Sequence, residues 1–141
     1  MKKLIVTSNP SSKGFTHLIV EKLNDLSVKK WDEVEILDLY KSPLKQDYLT
    51  YEDLSEMWKD EKVKKIQEKI TWADEIVFVF PIWWWDMPAI MKNFWDNNFT
   101  TGFAYKYEKW WKQVWLLTWK TARIIATSWA PGFFYKIILH I

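Results

Sequence analysis

Two stretches of the chain concentrate residues able to do chemistry. The first is Ser8-Asn9-Pro10-Ser11-Ser12-Lys13-Gly14-Phe15-Thr16. Hydroxyls, a lysine, a glycine that lets backbone approach and the free N–H groups of a following helix together suit a phosphate or pyrophosphate. The stretch is neither G-x-G-x-x-G nor a Walker A loop, so those two phosphate motifs are excluded by inspection. A competing reading is a polar turn in which Thr16 or Ser12 merely caps the helix. The second stretch is Phe78-Val79-Phe80-Pro81-Ile82-Trp83-Trp84-Trp85-Asp86-Met87-Pro88-Ala89-Ile90-Met91-Lys92-Asn93-Phe94. A strand ending in Pro-Ile-Trp-Trp offers backbone N–H groups and flat aromatic faces to a planar ring, whereas the plainer reading is aromatics closing a core. Other chemistries have little to work with. His17 and His140 are the only histidines, far apart and without acidic neighbours at ligand spacing, and there are no cysteines. Disulfides, thiolate metal sites and cysteine nucleophiles are therefore absent, no Ser-His-Asp set or metal cluster is expected, and His17 reads as a surface or interface residue.

Placing these stretches requires a frame. Leu4-Ile5-Val6-Thr7 within residues 3–8 reads as a first strand that stops at the turn cluster Asn9-Pro10-Ser11-Ser12. From Phe15, the positions Phe15, Leu18, Ile19, Leu23 and Leu26 fall at helical spacing and predict a helix with that stripe inward. A second strand is predicted over 33–40, carrying Val34, Ile36, Leu37 and Leu39, and a helix over 52–70, with Leu54, Met57, Val63, Ile66 and Ile70 as its apolar side. Ile76-Val77-Phe78-Val79-Phe80 is an unbroken apolar run ending at Pro81, as expected of a parallel strand buried on both faces. Pro88 opens a third helix whose inner stripe is Ala89, Ile90, Met91, Phe94 and Trp95. After a polar, aromatic connection, Thr121 to Thr127 reads as a fourth strand.

Strand and helix in alternation imply an α/β fold with an open parallel sheet and right-handed crossovers, and such sheets bind ligands at the carboxyl ends of their strands. Both chemical stretches fall there. A chain of 141 residues fits a single domain over 1–141. With 20 basic and 18 acidic side chains the net charge is only +2, so an electrostatic nucleic-acid footprint is not supported. No apolar stretch approaches a membrane span, and Leu4-Ile5-Val6 is too short for a signal-peptide core, which reads as cytoplasmic without stable membrane insertion. The apolar C-terminal stretch Gly132 to Leu139 reads as the start of a core or interface helix rather than a membrane anchor.

Phe80-Pro81-Ile82-Trp83-Trp84, then Met87-Pro88-Ala89-Ile90-Met91-Lys92, then Phe99 and Gly102-Phe103-Ala104-Tyr105 closely resemble the flavodoxin-like NAD(P)H:quinone oxidoreductases of the DT-diaphorase type. The resemblance reaches back to Trp72-Ala73-Asp74 and forward to Ala126-Thr127-Ser128-Trp129-Ala130-Pro131-Gly132. It implies a flavodoxin-like three-layer sandwich with four of the usual five parallel strands present, the last strand and helix being absent from the pattern. It implies a flavin whose pyrophosphate is held by Asn9, Gly14, Phe15 and Thr16, whose isoalloxazine lies along Pro81, Ile82, Trp83 and Trp84, and whose polar edge meets Thr127, Ser128 and Trp129. Tyr135, eight residues beyond Thr127, stands at the spacing of a tyrosine that helps hydride transfer in the family, and His140 is the off-register counterpart of a family histidine. The implied activity passes a hydride from NAD(P)H through bound flavin, FAD as first choice and FMN as second, to a quinone or similar acceptor, in a homodimer with the flavin near the subunit interface. Alternatives are an electron carrier or azoreductase-like enzyme, and a non-catalytic remnant or accessory subunit of an ion transporter.

One departure stands out. The chain has 3 glycines and 12 tryptophans, where average usage of about 7% glycine predicts roughly ten glycines. Trp85, Trp110, Trp111, Trp115, Trp119 and Trp129 fall where the family places glycine, and Trp31 precedes the second strand where a turn glycine is natural. Glycine at these seven positions would restore the average count. A source lineage that reads UGA as glycine, rendered here as tryptophan, would produce that pattern; a chain that is simply rich in tryptophan is the alternative. The coding DNA would decide between the two, since UGG at the seven codons would exclude the first.

Overall fold

The computed structural model describes residues 1–53, 56 and 60–129. Its elements are β1 (Lys2–Thr7), α1 (Phe15–Val28), β2 (Glu33–Asp38), α2 (Glu61–Trp72), β3 (Glu75–Pro81), α3 (Ala89–Asn98), β4 (Tyr105–Tyr107), β5 (Gln113–Trp115) and β6 (Thr121–Thr127). The strands β2-β1-β3-β6 form one sheet in that order, and every pairing in it is parallel. Consecutive strands that skip positions need crossover helices, and alternate side chains send the sheet's two apolar sets in opposite directions. Leu4, Val6, Ile76, Phe78 and Phe80 pack with Ile66 and Ile70 of α2 and Met91 and Phe94 of α3. Ile5, Val77 and Val79 pack with Val20 of α1, joined by Ile19, Leu23 and Ile125. The result is the three-layer α/β sandwich implied by the sequence, with β3 buried along six of its seven residues.

Several boundaries differ. Strands run 2–7 and 33–38 rather than 3–8 and 33–40, and the second helix begins at Glu61, where the Asp60 carboxylate accepts from the Lys62 N–H at 2.7 Å. Helix α1 is also rolled relative to the predicted stripe: Phe15, Leu18 and Leu26 are exposed, while Thr16, Val20 and Ser27 face inward. The polar pair explains the roll, because Thr16 is tied to neighbouring loops and Ser27 Oγ accepts from Lys3 Nζ at 3.2 Å. The connection read as irregular contains the antiparallel hairpin β4–β5, registered Tyr105 to Trp115 and Tyr107 to Gln113.

Helix α3 carries a polar feature that a stripe reading overlooks. Asn93, Asn97 and Asn98 are buried. Asn98 Nδ2 donates to Gln46 Oε1 and to Phe94 O, both at 2.7 Å. Asn93 Nδ2 donates to Asp47 O at 3.1 Å, and Gln67 Nε2 to Asn98 O at 3.1 Å. These amides satisfy carbonyls of the segment after β2, holding it against the helix without regular structure.

Candidate flavin site

At the carboxyl edge of the sheet, three segments are tied to one another. Asn9 Nδ2 donates to Thr16 Oγ1 at 3.1 Å. That leaves the Thr16 hydroxyl hydrogen free to donate to Thr127 Oγ1, 3.3 Å away. The Ile82 N–H donates to Thr127 O at 2.8 Å, and the Ser8 N–H to Val79 O at 3.3 Å. The loop after β1, the end of β3 and the end of β6 therefore form one connected ledge.

The loop turns the chain back into an uncapped helix start. Asn9 Oδ1 accepts from the Ser11 N–H at 3.0 Å and Ser11 Oγ from the Lys13 N–H at 3.3 Å, turning the chain back toward the helix. Gly14 is the N-cap of α1, no side chain caps the helix, and its first turn holds no acidic residue. The alternative in which Thr16 or Ser12 caps the helix is thereby overturned, since the Thr16 hydroxyl is spent on Asn9 and Thr127. The first-turn N–H groups and the positive end of the helix dipole are left for an incoming group. A Cβ on Gly14 would stand 2.9 Å from Asn9 Nδ2, so the bond between Asn9 and Thr16 requires glycine there.

Beside the ledge lies a cavity of about 380 Å³ lined by Ile82, Trp83, Trp84, Trp85 and Trp129. That volume falls in the range of about 300–1,000 Å³ usual for small-molecule sites. Its lining is an apolar, aromatic slot. The segment that forms it is a tight hairpin: the Trp83 N–H donates to Asp86 O at 2.9 Å and the Asp86 N–H to Trp83 O at 3.1 Å. The Asp86 carboxylate also accepts from the Met87 N–H at 2.7 Å, leading into α3.

The structure thus brings together Asn9, Gly14, Thr16, Ile82, Trp83, Trp84, Thr127 and Trp129. Pro81 pairs in register with Thr127 on the sheet edge, Ser128 lies between Thr127 and Trp129, and Phe15 stands exposed at the start of α1. Tyr135 and His140 lie outside the described residues. His17, expected at the surface, is half-buried on α1 with Nε2 shielded and without a hydrogen bond among the described residues. The sequence reading assigned no role to the hydroxyls of Thr7 and Ser8, which are buried at the end of β1 without a hydrogen-bond partner among the described residues. The signal available for them is a Thr-Ser pair at the carboxyl end of an apolar parallel strand.

These features fit a flavin mononucleotide: an uncapped helix start with a glycine for a phosphate, unpartnered hydroxyls beside it, and an aromatic slot for a planar ring. Among the described residues no three His, Cys, Asp or Glu side chains are grouped to hold a metal, and no helix is long and apolar enough to cross a membrane. A larger cavity of about 1110 Å³ opens at the other end of the sheet, where Ile76 and Ala122 begin their strands, between α3 and the β4–β5 hairpin. It lies away from the loop after β1.

The sequence matches the flavodoxin-like fold family over residues 1–137. It is 32% identical over 128 residues to a ribosyldihydronicotinamide dehydrogenase-like protein of Penicillium crustosum, covering 74% of this chain and 46% of that protein. It is 26% identical over 115 residues to an FMN-dependent NADH:quinone oxidoreductase of Mesoplasma florum, covering 77% of this chain and 57% of that protein. The chain spans about half the length of the curated relatives it matches. Among solved structures, Smu.1420 of Streptococcus mutans superposes with a TM-score of 0.84 at 34% identity, covering 98% of this chain and 73% of that one. An FMN-dependent NADH-azoreductase from Bacillus anthracis, solved with FMN, shares the fold with a TM-score of 0.73 at 18% identity, over 90% of this chain and 68% of that one. The Mesoplasma florum relative and the Bacillus anthracis structure name FMN as their flavin, and the expectation of FAD as first choice has no support among these relatives. By its sequence match over residues 1–137 and by its sheet order, the chain belongs to the flavodoxin-like fold family.

Proposed function

We propose that the protein binds FMN at the carboxyl edge of its sheet and passes a hydride from a nicotinamide nucleotide to a quinone or a similar two-electron acceptor. The observation that carries this reading is the bond chain from Asn9 through Thr16 to Thr127, which joins a phosphate-type loop to an aromatic slot in one ledge. When bound, the flavin supplies the hydride chemistry, and the protein supplies binding, orientation and exclusion of water. Gly14 and the first-turn N–H groups of α1 hold the phosphate, with Ser8, Asn9 and Thr16 beside it. Ile82, Trp83 and Trp84 present apolar faces and a backbone N–H to the ring, and Thr127 and Ser128 stand at its polar edge. Tyr135 is proposed to assist the hydride step, with His140 a weaker counterpart. Trp84 and Trp129 are more than nine-tenths exposed at the rim of the slot, which supports closure by a second copy in a homodimer. The proposal places this activity in the cytoplasm.

The test is titration of the protein with FMN and, separately, FAD, read by quenching of flavin fluorescence. FMN is expected to bind more tightly than FAD. Thr16→Val, which removes the hydroxyl shared by Asn9 and Thr127, is expected to weaken FMN roughly tenfold, the worth of about one good hydrogen bond. NADH oxidation with menadione should then follow the flavin-bound fraction. Equal affinity of Thr16→Val and the parent would remove the ledge from the reading, and flavin binding without menadione-dependent NADH oxidation would favour an electron carrier.

A further inference from the structure

Five residues other than glycine have positive φ among the described residues, and all five are tryptophan: Trp31 at 62°, Trp84 at 51°, Trp85 at 71°, Trp110 at 66° and Trp111 at 59°. Left-handed backbone is avoided by residues with a Cβ, and where it occurs outside glycine it falls mostly on Asn and Asp, whose short side chains bond locally. A bulky indole has no such compensation. That this one residue type holds every such position calls for a cause, and each turn supplies the same one.

Trp31 ends α1. Its N–H donates to Val28 O at 3.0 Å and the next N–H, of Asp32, reaches back to Ser27 O at 3.1 Å. These two bonds form the Schellman arrangement, whose left-handed residue is usually glycine. Trp85 is the second central residue of the two-residue hairpin between Trp83 and Asp86, with positive φ at both central positions. Turns of that class take Asn or Asp first and glycine second. Trp110 and Trp111 connect β4 to β5, where the Glu108 N–H donates to Lys112 O at 2.9 Å across a doubly left-handed turn. The two successive left-handed conformations in this three-residue loop, Lys109-Trp110-Trp111, are ones that glycine adopts without steric cost.

The side chains tell the same story. Trp31 is 94% exposed and Trp110 96% exposed, with Trp111 close behind. By contrast Trp72 and Trp95, in helices, pack against the core. Trp72 and Trp95 use their rings against the core, whereas Trp31, Trp110 and Trp111 project theirs into water from turns that disfavour them; Trp85, 46% exposed beside the slot, rests on its turn geometry alone.

We infer that positions 31, 85, 110 and 111 are glycine in the protein made by its source cell, each encoded by UGA in a cell that reads that codon as glycine. The inference stands on backbone geometry and does not depend on the flavin proposal. Trp84 is left outside the inference, because the first central position of such a turn also takes residues other than glycine. Trp115, Trp119 and Trp129 are exposed without positive φ, so their backbone makes no demand for glycine. The consequence for the site is specific: glycine at 85 removes one of the four indoles around the slot and leaves Trp83, Trp84 and Trp129.

The test has two arms that need no variant. Sequencing the source gene is expected to show UGA at all four positions, and mass spectrometry of protein isolated from the source cell should give the mass of glycine at each. UGG at any of the four, or tryptophan mass in the peptides that span them, overturns the inference. As an independent check, the unaltered gene expressed in a host that reads UGA as stop should yield only a fragment ending before position 31. A full-length chain from that host overturns it equally.

Discussion

The same residue type lives in two environments here. Trp95, on α3, stacks on Phe99 with ring centroids 4.5 Å apart and lies 4.6 Å from Phe78, inside the aromatic layer between helix and sheet. Trp110 and Trp111 sit in the β4–β5 turn, almost wholly exposed, and Trp111 makes one edge-on approach to Tyr107 at 6.3 Å. In the first environment the indole stabilises by removing a large apolar surface from water. In the second it contributes little burial and forces a left-handed backbone. Residue identity is informative about a fold only where the surroundings use the side chain, and the turns of this chain do not use theirs.

The contrast is tested most severely by truncation. Trp95→Ala should cost about 2 kcal/mol in urea unfolding, below the usual loss for a fully buried aromatic because the indole is half-buried, whereas Trp110→Ala should fall within about 0.5 kcal/mol of the parent, as for an exposed side chain. Comparable losses at the two sites would erase the distinction. Trp95→Phe should cost less than Trp95→Ala, because the indole N–H at this site is buried without a partner among the described residues and a phenyl ring leaves no such donor.

The next effect in size has the opposite sign. A left-handed residue with a Cβ carries roughly 1–2 kcal/mol of strain, and glycine returns about 0.5–1 kcal/mol of that as extra chain entropy lost on folding. Trp31→Gly, or Trp110→Gly with Trp111→Gly, should therefore raise stability by up to about 1 kcal/mol per position, with an unchanged dependence on denaturant. Gly102 provides the control. Its φ is +87°, its N–H donates to Tyr105 O at 2.7 Å, and nothing lies within 4 Å of where a Cβ would be. Gly102→Ala should lose about 1 kcal/mol from backbone strain alone. A neutral Gly102→Ala would mean that the turns tolerate left-handed side chains and that the expected gain at 31, 110 and 111 is overestimated.

The sheet was legible because its strands are short β-branched or aromatic runs with clear stops, Thr7 before Asn9-Pro10 and Phe80 before Pro81. Their parallel pairing followed from the alternation with helices, while the order β2-β1-β3-β6 came from the structure. The loop between β1 and α1 was legible as a polar turn of hydroxyls, lysine and glycine before a helix, but not the tie of Thr16 to Thr127, because the two residues are 111 positions apart and nothing local links them. The roll of α1 was misread since hydrophobicity favoured Phe15 and Leu18, while Thr16 and Ser27 were fixed inward by hydrogen bonds to other elements. The β4–β5 hairpin was hidden for a simpler reason. Its strands are three residues each, and the turn signal that marks a hairpin is occupied by Trp110 and Trp111. The burial of Asn93, Asn97 and Asn98 was not legible, because their partners are the Gln46-Asp47 segment for Asn93, the Gln46 side chain and Phe94 O for Asn98, and Asn93 itself for Asn97, contacts that no periodicity announces.

The smallest effect concerns how the turn at Trp31 is held. Asp32, the next residue, lies 2.7 Å from Lys3 Nζ and 3.1 Å from the N-terminal ammonium, so the end of α1 is clamped to the start of β1. The hydrogen bond from Lys3, followed by that from the N-terminus, lowers the Asp32 pKa below its ordinary value. A carboxylate whose folded pKa is depressed contributes stability that is present above the unfolded pKa of about 3.9 and is lost as pH falls from there toward the folded value. The parent should therefore lose stability across that acid window. Asp32→Asn should be modestly less stable at pH 7 and show a shallower decline below about pH 4, because the titrating group is gone. If the acid limb keeps its slope in Asp32→Asn, other carboxylates carry it, and the left-handed turn at position 31 is held by its two backbone bonds without help from the clamp.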